Sequence, residues 1–167
     1  ATLTADGGVS YEWSTTQTSG SITVNPTTTT TYTVTGTDAN GCENTATVSI
    51  SVNPLPTVSA SANPSELCIG ASTTISASGA TTYEWNNGET TAAFTVTPDE
   101  TTTYIVTGTD ANGCENTAEV IVTVNPLPQL MLTADNTTIC SGQSVTLTAS
   151  SDIANTTYEW DNGLTDA

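Results

Sequence analysis

The chain contains no lysine, no arginine and no histidine. Without histidine there is no imidazole base at neutral pH, and without lysine there is neither a Schiff-base amine nor a Lys–Asn isopeptide staple. No cationic side chain is available to neutralise a phosphate, so nucleic acid and anionic lipid heads are excluded as partners by charge alone. No run of 18 apolar residues occurs, which excludes a membrane-spanning helix in this segment. There is one Met and one Phe, and there are three Trp and five Tyr, so any core is built mostly from Val, Ile and a few large rings.

Against these absences stand 17 Asp or Glu, which give a formal net charge of −17. Solvated charge of one sign keeps a protein soluble and makes like segments repel. Only carboxylates, hydroxyls and thiols are left for chemistry. A pair of carboxylates can hydrolyse a glycoside, but it needs an individual cleft, and the acidic residues here recur along the chain. The expectation is therefore a chain without catalytic residues.

The recurrence is the main positive feature. Thr101–Ala118 (TTTYIVTGTDANGCENTA) repeats Thr29–Ala46 (TTTYTVTGTDANGCENTA) with one difference, 72 positions later. Trp13 recurs as Trp85, Tyr11 as Tyr83, Tyr32 as Tyr104, Cys42 as Cys114 and Cys68 as Cys140, and VNPLP at Val52–Pro56 recurs at Val124–Pro128. A fixed period of this kind is the signature of a tandem array. The proline-rich linkers divide the chain into 1–56, a repeat expected to lack its first strands, 57–128, a complete repeat, and 129–167, expected to lack its last strands. The chain is thus expected to be an excerpt of a longer array.

Within 57–128 nearly every segment alternates with period two or is rich in Thr, Val and Ile, and no helical stripe is present. The pattern predicts an edge strand over Val58–Ala62, a short piece through Leu67 and Cys68, and strands over Thr73–Ser78 and Thr82–Asn86. Further strands follow around Phe94 and Val96, over Thr102–Asp110 and through Val120, Val122 and Val124. Asn87-Gly88 and Asn112-Gly113 mark turns. Shared parity places Tyr83, Trp85, Phe94, Val96, Tyr104, Val106, Val120 and Val122 inside. About seven strands in so short a unit predict an all-β, Ig-like sandwich. The Tyr–Trp pairs at 11/13, 83/85 and 158/160 could be read as a sugar-stacking platform, but alternation puts them on the core face.

A small core gains from a staple. Four cysteines without a C-x-x-C pair point to an oxidising, extracellular setting and not to a zinc site. A Cys68–Cys114 disulfide would contribute roughly 3 to 4 kcal/mol in the chain-entropy model and is the expected pairing, because secreted domains usually carry their own staple. Cys42 and Cys140 would then have partners outside the chain. The alternative is a ladder in which each first-turn cysteine bonds the last-hairpin cysteine of the following unit, since in a seven-strand sandwich those two turns lie at opposite ends. Any metal would be calcium on hard oxygens, with Asp38 and Asp110 beside the Asn-Gly hairpins as the candidates, although turn chemistry favours the ordinary role of Asp and Asn in the hairpin itself. No cofactor is otherwise implied.

C-x-G-x-S at Cys68–Ser72 and Cys140–Ser144, the Y-E-W strand, and T-Y-x-V-T-G-T-D-A-N-G-C followed by V-N-P-L-P together resemble the Ig-like and PKD-like repeats of very large secreted Bacteroidetes surface proteins. The W-D-F-G-D-G turn that PKD domains tend to carry stands here as Trp85-Asn86-Asn87-Gly88. The resemblance is closest to gliding-motility-associated adhesins exported by the type IX secretion system. It implies an extracellular, cell-anchored filament or stalk whose partners are neighbouring repeats of the same long chain, with surface polysaccharide or self-association at an adhesive end. Such repeats also serve as spacers or carbohydrate-binding modules of secreted polysaccharide-degrading enzymes.

Overall fold

A computed structural model describes residues 1–161; residues 162–167, the end of the expected third segment, lie outside the described residues. The protein is all-β, with fourteen strands and no helix among the described residues. This follows from a chain in which Thr and Val dominate: β-branched side chains suit a pleated, half-buried surface and lose rotamer freedom in a helix.

Residues 1–56 form β1 (Thr2–Thr4), β2 (Ser10–Trp13), β3 (Ser21–Thr23), β4 (Thr30–Thr37) and β5 (Glu43–Ile50). β1 pairs with β3, and β2-β4-β5 make a second sheet. Seven strands follow: β6 (Ser59–Asn63), β7 (Glu66–Cys68), β8 (Thr73–Ser78), β9 (Thr82–Trp85), β10 (Ala93–Val96), β11 (Thr102–Thr109) and β12 (Glu115–Asn125). They form one sheet in the order β10-β8-β6, with β6 at its edge as expected, and another in the order β7-β12-β11-β9. β13 (Leu130–Ala134) and β14 (Leu147–Ser151) make a final antiparallel pair.

The two sheets of the central segment enclose one core of Leu67, Ile75, Trp85, Tyr104, Val106 and Val122, flanked by Val58, Tyr83, Phe94, Val96, Val120 and Val124. The whole inward set read from strand parity is therefore in the core or packed against it. Trp85 and Phe94 meet across the sheets edge to face, with ring centroids 5.2 Å apart. Every residue of this core lies between Val58 and Val124, so the segment 57–128 closes its own interior. Among the described residues Thr73 is the one buried polar residue, and its hydroxyl donates to the Pro64 carbonyl, which meets the cost of burying it.

The repeated sequence takes up repeated registers. Trp13 pairs with Val34 as Trp85 pairs with Val106, and Gly36 with Asn44 as Gly108 with Asn116. Residues 1–50 have a separate small core of Leu3, Trp13, Ile22, Val24 and Tyr32. Their environments differ in one respect: β12 buries alternate side chains under β6 and beside β7, whereas β5 stays exposed along nearly its whole length. Leu130, Met131 and Leu132 of β13 are likewise exposed.

The expected Cys68–Cys114 disulfide is corrected by this topology: all four cysteines are free. β7 runs parallel to β12, with Cys68 opposite Asn125 at its far end, while Cys114 immediately precedes Glu115 at its near end. The two cysteines are separated by the length of β12, roughly 30 Å or more at about 3.3 Å per residue. A disulfide needs Cα atoms within about 7 Å.

Candidate functional site

The hairpins that carry the candidate carboxylates are built from the sequence D-A-N-G-C. In the β11–β12 hairpin the Asp110 amide donates to the Cys114 carbonyl at 3.0 Å and the Gly113 amide to the Asp110 carbonyl at 3.2 Å. Gly113 has φ +79°, a conformation that glycine reaches without a Cβ penalty. The Asp110 carboxylate turns back on this loop, where Oδ1 accepts from the Asn112 amide at 2.8 Å and from the Cys114 amide at 2.9 Å. The β4–β5 hairpin repeats the arrangement, with Asp38 Oδ1 accepting from Asn40 and Cys42, each at 2.8 Å.

These amides hold both carboxyls below the usual aspartate range, the Cys114 amide foremost for Asp110 and the Cys42 amide foremost for Asp38. A carboxylate that accepts backbone hydrogen bonds favours its charged form. Because the folded value is depressed, the stabilisation is present above the ordinary value near 3.9 and is lost as pH falls through the folded value. Asp110→Asn should therefore remove the part of the acid sensitivity that resides in this hairpin. The check is amide exchange at Asn112 and Cys114 between pH 2 and 7: the wild-type protection should fall with acid and the variant's should not.

The geometry makes turn acceptors of both residues. Among the described residues no group of three or more Cys, Asp or Glu side chains comes together in a way that could hold a metal ion. Calcium at Asp38 or Asp110 would compete with the loop amides for the same oxygen. The melting temperature is expected to be equal in excess calcium and in chelator, and a rise in calcium alone would assign the two loops as calcium sites.

The Tyr–Trp pairs are held inward. Tyr83 Oη donates to the Ala80 carbonyl at 3.0 Å and accepts from the Ala80 amide at 3.1 Å, while Trp85 Nε1 donates to the Thr91 carbonyl at 3.0 Å. Tyr11 and Trp13 make the corresponding bonds to Gly8 and Ser19. The polar edge of each ring thus fixes a loop, and the face of each Trp is buried. Tyr158 and Trp160 are half-buried, beside Leu130 and Leu132. An open groove in residues 1–56 is lined by Gly8, Tyr11, Val34, Gly36 and Ala46. The matching face of the central segment is covered by Val58, whose side chain sits against Gly108.

Two polar contacts that strand parity did not point to tie the ends of the central segment to its sheets. Asn116 Nδ2 donates to the Pro56 carbonyl at 3.0 Å, which fastens the start of the segment beside the β11–β12 hairpin. Asn125 Nδ2 donates to Glu66 Oε1 at 2.8 Å, which fastens its end beside β7. The recurrence of Asn44 as Asn116 in the motif G-C-E-N-T-A was the available signal for the first. The chain matches no known family and no curated protein.

Proposed function

We propose that this chain is a non-catalytic stretch of tandem Ig-like repeats, 72 residues each, that acts as an extracellular stalk or surface filament holding an adhesive end away from the cell. One observation carries the reading. The central segment is entered at Pro56, next to the hairpin at one pole, and left at Asn125, at the opposite pole. A unit whose entry and exit lie at opposite poles propagates in a line when it is repeated, and each copy touches its neighbours only. The linker Asn-Pro-Leu-Pro reinforces this, because two prolines in four residues favour extended backbone. About eight negative charges per repeat oppose folding back over distances near the Debye length of roughly 8 Å.

The spacer or carbohydrate-binding alternative draws less support, since the Tyr11–Trp13 and Tyr83–Trp85 rings that would stack on a sugar are engaged in their cores and loops. Neighbouring repeats are the principal partners in this reading, and the setting is the cell surface.

Small-angle scattering on proteins of one, two and three central repeats tests it. The maximum dimension should grow almost linearly, by roughly 40 Å per added unit, from the length of β12 plus three extended linker residues. A maximum dimension that barely increases from one unit to three would refute the stalk.

A further inference from the structure

We propose that wherever two complete repeats follow one another, the thiol of Cys68 in the first bonds the thiol at the position of Cys114 in the second, so that a ladder of disulfides bridges the junctions. The proposal rests on the head-to-tail stacking just described, and it assigns a covalent role to residues whose pairing within a unit the topology forbids.

The two cysteines of a unit lie at turns on opposite poles. β7 runs parallel to β12, toward the exit, and ends at Cys68, where the chain turns with the Ala71 amide donating to the Cys68 carbonyl at 3.0 Å. Cys68 is level with Asn125, whose carbonyl accepts from the Ile69 amide at 2.9 Å. This turn faces the next unit. The β11–β12 hairpin points the other way, so that Cys114 at its tip faces the preceding unit.

The linker brings those two faces together. From Asn125 only Pro126, Leu127 and Pro128 remain before the next unit begins, a reach of about 10 Å when extended. In the junction present here, Pro56 occupies the place of Pro128, and its carbonyl is bonded to Asn116, two residues beyond Cys114. The linker that leads back to Asn53, the residue that corresponds to Asn125, is therefore seated at the pole of the unit that carries the hairpin. A forward turn carrying one cysteine and a backward hairpin carrying the other thus face each other across a three-residue linker, and a disulfide forms there if the seating of the linker brings their Cα atoms within about 7 Å. Cys68 is exposed and Cys114 half-buried, so an oxidant can reach both.

The order of the cysteines agrees. Cys42 and Cys114 occupy hairpin tips and Cys68 and Cys140 occupy first turns, and the ladder joins a first turn to the hairpin one full period beyond its own. No two cysteines of this chain stand in that relation, and all four are free. Each rung forms when the two thiols give up two protons and two electrons to a disulfide oxidant, which leaves as two thiols. The rung would carry tension past the linker directly from one unit's β7 edge to the next unit's hairpin.

The test uses two consecutive copies of residues 57–128, which close their own cores. One variant keeps Cys68 in the first copy and Cys114 in the second, the other two cysteines being Cys→Ser. The control variant keeps Cys114 in the first copy and Cys68 in the second, at the outer poles. Both are treated, folded and dilute, with oxidised glutathione, then alkylated and weighed. The junction variant should lose both thiols within one molecule, with the mass loss of two hydrogens and a cross-linked peptide pair, while the control retains its thiols or takes up glutathione. A junction variant that keeps its thiols or carries only glutathione overturns the ladder. Scattering on the reduced protein separates the two claims: an elongated protein without a rung sinks the ladder alone, and a compact one sinks the stalk and the ladder together.

Discussion

Replacing Trp85 with alanine should destabilise the central segment by about 3–5 kcal/mol, the range for truncating a large buried aromatic. The ring is 2% exposed, meets Phe94 edge to face, and anchors the loop before β10 through the bond from Nε1 to the Thr91 carbonyl. A domain of this size has only about 4–10 kcal/mol in total at the usual stability per residue, so the substitution removes most of its margin. The expected result is regional. Residues 58–124 should lose protection against amide exchange, while residues 2–50, whose core of Leu3, Trp13, Ile22, Val24 and Tyr32 is separate, should keep theirs. Trp85→Phe retains much of the apolar contact but not the bond to Thr91, and should fall between. A loss below about 1 kcal/mol for the alanine variant would show that the sandwich is held by something other than this ring.

The inward role of Trp85 was legible because alternation is local: Tyr83, Glu84 and Trp85 declare their faces within three residues, and Glu84 must point to water. The same rule placed β8 on Thr73–Ser78 and the inner faces of β11 and β12. Pairing between distant strands is not written in that way. β7 has three residues, and nothing in Glu66-Leu67-Cys68 indicates that it will lie parallel to Thr123–Asn125. That one pairing carries Cys68 to the far pole and rules out the bond to Cys114. The general habit of secreted domains to hold their own staple pointed the other way, and the parity of the strand count, which argued for opposite ends, was the better guide. The candidate carboxylates show a similar limit. Asp38 and Asp110 were legible both as oxygen donors and as turn residues beside the Asn-Gly hairpins, and whether such an oxygen faces outward or accepts the loop's own amides depends on loop geometry, which residue type alone leaves open.

Gly79 and Gly7 are the same residue one period apart, and alanine at the two positions should separate the effect of backbone conformation from that of packing. Both have positive φ, +93° and +84°, so alanine costs about 1–2 kcal/mol at either position for the left-handed conformation alone. A Cβ at Gly7 would meet nothing within 4 Å, whereas a Cβ at Gly79 would lie 1.9 Å from the Thr57 carbonyl oxygen and 2.8 Å from its carbon. That neighbour is backbone and cannot rotate away. To admit the methyl, Thr57 must move and draw Val58 with it, off Gly108, where a Cβ would itself be 2.7 Å from Val58 Cγ2 and no slack exists. Val58 leads directly into β6, the edge strand that lies over β12, and the Pro56 carbonyl held by Asn116 is two residues upstream. Gly79→Ala should therefore cost about 3–5 kcal/mol, the conformational term plus the loss of packing when a strand shifts from a close-packed core. Gly7→Ala should stay near 1–2 kcal/mol. Urea denaturation of the two variants, followed by amide exchange to assign the transition to residues 2–50 or 58–124, measures both. Equal losses at the two positions would mean that the entering strand does not press on Gly79, and the seating of the linker against the hairpin pole, on which the proposed straight propagation of repeats rests, would lose its physical basis.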